Sequence, residues 1–183
     1  MLQDKTVLVG VTGGIAAYKS AHLVSRLRDA GAQVVVVMTR NATHFITPLT
    51  LQTLSGRPVY VEMFPATTGE VAEHVWLGEK ADVMVVAPAT ANIIGKVAAG
   101  IADDMLSTTI MAAQGPVIFA PAMHTRMYQN PIVGNNIAQL KKLGYHFVGP
   151  AEGKLARREE GLGRLAEISD IVEKVGQVLG GGK

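Results

Sequence analysis

Short β-branched runs alternate along this chain with longer stretches in which apolar residues recur every three or four positions. Residues 6–11, 33–38, 83–87, 116–120 and 145–148 are apolar on successive positions, the pattern of strands covered on both faces of a parallel sheet. Between them, residues 15–30 place Leu23, Leu27 and Ala30 at helical spacing, and Gly31 follows in a helix-ending position. Further helices are predicted over 41–55, 91–99, 104–113, 131–143 and 168–179. Parallel strands need crossover connections, so this alternation predicts a doubly wound α/β fold with helices on both faces of the sheet. Two stretches have loop composition: 62–69, with Pro, Ala, Thr and Gly, and 151–163, rich in charge and glycine and expected to form a flap. The last four residues, Gly180-Gly181-Gly182-Lys183, have linker composition, so the expected organisation is one domain over 1–179 and a tail over 180–183 that would lead into another domain.

Composition narrows the function. A chain of 183 residues with 48% hydrophobic residues builds one well-cored domain. Only 17% of the residues are charged, below the usual quarter or so, which leaves apolar surface for other subunits to cover. The net charge of +2 is spread among acids and bases, so no nucleic-acid stripe is implied. There is no cysteine, which removes disulfides, thiolate metal sites and thiol nucleophiles or acids from the chain's own chemistry. No apolar run approaches the roughly 18 residues of a membrane helix, and the amino end leads directly into a strand, so no membrane partner and a cytoplasmic location are expected.

The candidate chemistry gathers where strands end. Gly10-Val11-Thr12-Gly13-Gly14-Ile15 turns the first strand into the first helix, where backbone amides and the helix dipole can hold a phosphate. A plain tight turn would need the same glycines. The full dinucleotide fingerprint is absent, and Thr39-Arg40-Asn41 stands at the end of the second strand where an acid would bind a ribose, so a mononucleotide such as FMN fits better than NAD. Ala87-Pro88-Ala89-Thr90-Ala91-Asn92 repeats the arrangement, with Thr90 as a helix cap, a ligand contact or both. Ala120-Pro121-Ala122-Met123-His124 leaves another strand at the edge where open α/β folds bind ligands. His74, beside Trp76, reads from its surroundings alone as a packing residue.

Taken together, Thr12 to Ala17, Phe45 to Leu49, His74, Ala87 to Asn92, Asp103 to Thr108 and Pro121-Ala122-Met123 resemble the flavin-dependent cysteine decarboxylases, and among them the phosphopantothenoylcysteine decarboxylases of coenzyme A biosynthesis. The resemblance runs from about Lys5 to Leu179. It implies a three-layer α/β/α Rossmann-like (flavodoxin-like) parallel sheet of about six strands, homotrimers that often assemble into dodecamers, and FMN bound near subunit interfaces. It implies FMN contacts at Gly13, Gly14 and Ile15, at Thr39 and Arg40, at Thr90, Ala91, Asn92 and Ile93, and at Ala122. It also implies that His74 is the catalytic base while the flavin oxidises the substrate's cysteine to a thioaldehyde, after which carbon dioxide leaves to give an enethiolate. The expected substrate is 4'-phosphopantothenoylcysteine, the expected product 4'-phosphopantetheine, and the expected neighbour a fused or separate phosphopantothenoylcysteine synthetase domain.

Two positions depart from the family. His124 stands where an asparagine usually follows Pro-Ala-Met and contacts the substrate carboxylate; imidazole can donate a hydrogen bond there, so Met123 and His124 are expected at the substrate and His124 at the reacting group. Arg157 stands where the flap cysteine that supplies a proton would align, and guanidinium is too weak an acid to replace it. Arg157, with Arg158 and Lys154, is expected either at the substrate phosphate or in a solvated loop. Without the thiol, the intermediate is protonated by another acid or water, or leaves as an enethiol. The alternatives are therefore an oxidative decarboxylase of a peptide's carboxy-terminal cysteine and a non-catalytic flavoprotein that regulates a partner. A flavin prenyltransferase shares the fold, but the serine-rich first turn is missing.

Overall fold

In the computed structural model, which describes residues 2–64, 73–154 and 160–181, the alternating runs become a single sheet and two helical layers. The strands β1 (Thr6–Val11), β2 (Gln33–Met38), β3 (Val59–Tyr60), β4 (Val83–Ala89), β5 (Val117–Pro121) and β6 (His146–Phe147) pair in parallel in the order β3-β2-β1-β4-β5-β6. The helices are α1 (Ser20–Asp29), α2 (Pro48–Ser55), α3 (Glu73–Lys80), α4 (Ala91–Ala98), α5 (Met105–Met111), α6 (Thr125–Tyr128), α7 (Pro131–Lys142) and α8 (Ile168–Gly180).

Register decides which side chains meet. Val7 and Val9 of β1 lie beside Val34 and Val36 of β2 and beside Val83 and Val85 of β4. Because the side-chain period is two, these residues all enter one face, where Leu23 and Leu27 of α1, Leu51 of α2 and Ile171 and Val175 of α8 cover them. Leu8, Val35, Val37, Met84 and Val86 point the other way, against Leu77 of α3, Ile94 of α4, Leu106 and Ile110 of α5 and Leu140 of α7. Each fully buried Val or Leu contributes about 1.5–3 kcal/mol relative to exposure. The uninterrupted apolar runs are thus two interleaved stripes. Gly10 fits this layer because a Cβ there would come within 2.6 Å of the Leu106 side chain.

The chain adds β2 and β3 on one side of β1, then returns to add β4, β5 and β6 on the other. This 3-2-1-4-5-6 order is that of dinucleotide-binding Rossmann folds and not the 2-1-3-4-5 order of flavodoxins, and it puts the topological switch point between β1 and β4. The turns after those two strands carry the glycines and threonine singled out above.

Several predicted elements differ in detail. The helix over 15–30 begins as a 3-10 helix, Ile15–Lys19, before α1. The single helix over 41–55 is two, a 3-10 helix Arg40–His44 and α2, because Pro48 lacks an N–H and takes the first helical position behind Thr47, whose hydroxyl caps the Thr50 amide. Helix α3 is unforeseen: Gly78 looks like a breaker, yet a Cβ there would press within 2.8 Å of the Ala112 carbonyl, so the glycine permits close packing. The expected flap is a hairpin, β7 (Ala151–Lys154) against β8 (Glu160–Arg164), with its connection outside the described residues. Of the loop expected over 62–69, only 62–64 are described, without regular structure.

Candidate functional site

Thr12 joins the two turns at the switch point. Its hydroxyl is buried, donates to the Pro88 carbonyl at 2.6 Å and accepts from the Thr90 amide at 3.2 Å. Ser20 adds a second tie, donating to the Ala87 carbonyl at 2.8 Å. Thr39 and Thr90 each cap the helix they precede, through the amides of Ala42 and Ile93. The turns after β1 and β4 are thereby held against each other by hydroxyls rather than by bulky side chains.

Two clefts open over this junction. The first, about 650 Å³, is lined by Gly13, Thr39, Arg40, Thr90, Ala91, Asn92 and Ile93, and so brings seven of the ten expected cofactor residues together; it is the expected flavin-side cleft. The second, about 600 Å³, is lined by Gly13, Gly14, Ile15, Ala122, Met123 and His124 and walled by Gly163, Arg164 and Leu165. Gly13, Thr90, Ala91 and Met127 border both. A Cβ on Gly13 would meet the Asn41 Cβ at 2.4 Å, so glycine is what lets the β1 and β2 turns close on each other. Gly13 and Ala91 border both clefts and Ala122 lines the second, small residues that would let a flat ring approach the backbone there. Within the turn after β1, the Gly14 amide donates to the Thr12 carbonyl at 2.9 Å.

Met123 and His124 sit at the mouth of the second cleft, held by the hairpin. The Met123 amide donates to the Gly163 carbonyl at 2.9 Å. His124 caps α6, its Nδ1 accepting from the Arg126 amide at 3.2 Å. Arg40 is engaged across the rim by Glu62, with Nε donating to Oε1 at 2.8 Å. His74 is not brought to either cleft within one chain: it lies half-buried in the first turn of α3. Arg157 lies outside the described residues.

Sequence reasoning missed a charged cluster at the flavin-side cleft. Lys96 donates to Asp103 at 2.6 Å and to Asp104 at 2.8 Å, and Asp104 caps α5 through the Ser107 amide at 2.8 Å. Its signal was the Asp104-to-Ser107 spacing of a capping box, which the structure forms. Burial disfavours the Asp104 carboxylate, but Lys96 and the Ser107 amide and hydroxyl outweigh it and hold the group below the usual carboxylate range. Burial likewise disfavours the Lys96 ammonium, and the two aspartates more than offset it, so its pKa is raised. Also missed were Lys19 and Arg164, on opposite walls of the second cleft.

Comparison with known proteins places this arrangement in context. Residues 1–180 match the family described as Flavoprotein. The chain is 50% identical over 173 residues to the coenzyme A biosynthesis bifunctional protein CoaBC of Bacillus subtilis (strain 168), covering 94% of this chain and 43% of that protein. It therefore spans less than half the length of the curated relatives it matches. Among solved structures, the FMN-dependent cysteine decarboxylase SpaF superposes with a TM-score of 0.84 at 34% identity, covering 98% of this chain and 97% of the other. A PPC decarboxylase mutant complexed with pantothenoylaminoethenethiol superposes with a TM-score of 0.82 at 31% identity, covering 94% and 97%.

Two substitutions test this geometry. Thr12→Val removes both hydroxyl bonds and strands the Pro88 carbonyl and Thr90 amide; a loss of about 2–3 kcal/mol is expected, read as a lower denaturation midpoint together with lower flavin content. An unchanged flavin content would show that the Thr12 link is dispensable. Asp104→Asn keeps the cap but removes the carboxylate that faces Lys96. Because the Asp104 pKa is depressed in the fold, its contribution is full above the unfolded value of about 3.9 and is lost as pH falls through the folded value. The raised Lys96 pKa works at the other end, its contribution being full below about 10.4 and lost as pH rises through the folded value. The variant is expected to be less stable than the parent by about 1 kcal/mol at neutral pH, with the deficit closing below about pH 4. A deficit that stays constant across denaturation midpoints measured from acid to neutral pH would rule out the charge pair as its source.

Proposed function

This chain belongs to the Flavoprotein family, and on that premise we propose that it is an FMN-dependent decarboxylase converting 4'-phosphopantothenoylcysteine to 4'-phosphopantetheine in coenzyme A biosynthesis. The observation that carries this reading is the pair of adjoining clefts at the strand switch point, one floored by small residues and the other ending at Met123 and His124.

FMN, when bound, supplies the reversible two-electron oxidation that turns the substrate's cysteine into a group able to lose carbon dioxide. The protein's residues do the rest. Thr39, Asn92 and the Gly13 floor shape the cofactor cleft, with Arg40 at its rim. His124, held at the turn after β5 by the Arg126 amide on its Nδ1, is placed at the substrate carboxylate, the part an asparagine side chain plays in the family. Neutral donation suits the reaction better than a full ion pair, which would stabilise the carboxylate that has to depart. With no cysteine in the chain, the final proton comes from another acid or from water.

His74 acts as the base from a second copy of the chain. Supporting this, it lines neither cleft of its own chain, and the neighbouring Val75 and Trp76 on α3 are exposed apolar residues suited to burial against another subunit. The assembly is a homotrimer, further assembled into a dodecamer, with the flavin near each subunit interface. Residues 1–179 form the decarboxylase domain, with Gly180 as the last residue of α8, and the bifunctional relatives support a phosphopantothenoylcysteine synthetase domain, fused or separate, as its neighbour. No helix among the described residues is long and apolar enough to cross a membrane, and the enzyme works in the cytoplasm.

Anaerobic incubation of the flavin-loaded protein with phosphopantothenoylcysteine tests the reading. Loss of carbon dioxide alone, with the flavin returning to its oxidised colour, is expected by mass spectrometry and absorbance. Loss of carbon dioxide and two hydrogens with bleached flavin would replace it with oxidative decarboxylation, and an inert mixture would sink it. The shared site is tested separately by mixing subunits. His74→Asn chains and Thr12→Val chains, each with little activity alone, are expected to regain turnover when dissociated and reassembled together. No recovery would place His74 in its own chain's site.

A further inference from the structure

The second cleft has an unusual charge inventory. Lys19 and Arg164 line it beside His124, and among the described residues no aspartate or glutamate does. In the flavin-side cleft the cations are already answered, Lys96 by Asp103 and Asp104 and Arg40 by Glu62. Arg164 in the second cleft is tied to Glu167, although its buried Nε has no protein partner. The Lys19 side chain makes no hydrogen bond or ion pair among the described residues. Among the described lysines and arginines of the two clefts, it is the one without a protein partner.

Its place along the cleft matters as much as its charge. The 3-10 helix Ile15–Lys19 runs along the wall, with Ala17 in the core and Ile15, Ala16, Tyr18 and Lys19 turned to the cleft. Gly13, at the start of that path, is where the two clefts meet. At about 2 Å of rise per residue, Lys19 stands roughly 8 Å beyond Ile15, away from the flavin side. A substrate reacting at the flavin must put its cysteine at the near end, by Met123 and His124, and its remaining arm towards Lys19.

We propose that Lys19 reads a phosphate at the far end of the substrate and sets the preference for a phosphorylated arm over a peptide's carboxy-terminal cysteine. This rests on the decarboxylase reading above for the substrate's orientation, and it adds a specificity residue to it. A peptide ending in cysteine brings one carboxylate to the flavin end and no fixed anion to the other, so it gains nothing from Lys19. A phosphorylated arm gains a charge-assisted contact in a cleft where no described residue is a competing acid.

The test compares 4'-phosphopantothenate with pantothenate, which differ only in the phosphate, binding to the FMN-loaded protein and to its Lys19→Met and Lys19→Arg variants. The parent is expected to bind the phosphorylated ligand roughly ten- to a hundredfold more tightly. Lys19→Met is expected to lose that preference while retaining its FMN, and Lys19→Arg to keep most of it. A preference that survives in Lys19→Met, or is absent from the parent, overturns the assignment. Loss of FMN from Lys19→Met also overturns it, since the ammonium would then serve the cofactor's phosphate. A parent that shows the phosphate preference but turns over neither phosphopantothenoylcysteine nor its unphosphorylated form would sink the decarboxylase reading and leave Lys19 assigned.

Discussion

The site depends on the Thr12 hydroxyl being used twice. Parallel strands β1 and β4 end side by side, and their following turns would drift apart as the chains leave in different directions. One buried oxygen, donating to the Pro88 carbonyl and accepting from the Thr90 amide, fixes both turns to each other. A larger polar residue could make such bonds but would fill the floor. An apolar one would leave two backbone groups unpaired at a cost of about 1–3 kcal/mol each. Threonine at this point allows a junction that is tight beneath and empty above.

Emptiness is the second requirement, and it is imposed by close backbone approach. Gly13 has Asn41 where its Cβ would be, so the β1 and β2 turns touch through backbone and Cβ alone. The same logic recurs across the cleft. A Cβ on Gly161 would fall 2.4 Å from the Thr125 hydroxyl, and one on Gly163 would fall 2.2 Å from the Met123 carbonyl. Gly163 also has φ of 147°, which disfavours any side chain. The hairpin can therefore lie directly on the segment that follows β5.

Much of this was legible in the sequence because strand burial and turn chemistry are local signals. Five of the six parallel strands and the turns after β1, β2, β4 and β5 follow from apolar runs punctuated by Gly, Pro and Thr. What escaped was set by tertiary contact. β3 has two residues and no period to detect, α3 carries a glycine whose purpose lies in Ala112, and β7 and β8 are rich in glycine and charge because they pack on a backbone rather than on a core. The small residues bordering the two clefts were legible at strand ends. Lys19, Lys96 and Arg164 were not, since a charged residue near a helix end or in a hairpin looks solvated until its neighbours are known. His74 is the converse case, singled out by family pattern alone and found away from both clefts of its own chain.

The hairpin's attachment ties one wall of the second cleft to the turn after β5. Met123 donates to Gly163, and His124, the next residue, caps α6 through Nδ1. Arg164 follows Gly163 on the same strand and reaches the same cleft. β8 is therefore joined to the residue next to His124 by one backbone hydrogen bond, and Gly161 and Gly163 let the strand lie close enough to make it. Because the attachment runs through backbone alone, it requires no thiol on the hairpin, and a chain without cysteine keeps this wall of the cleft in place.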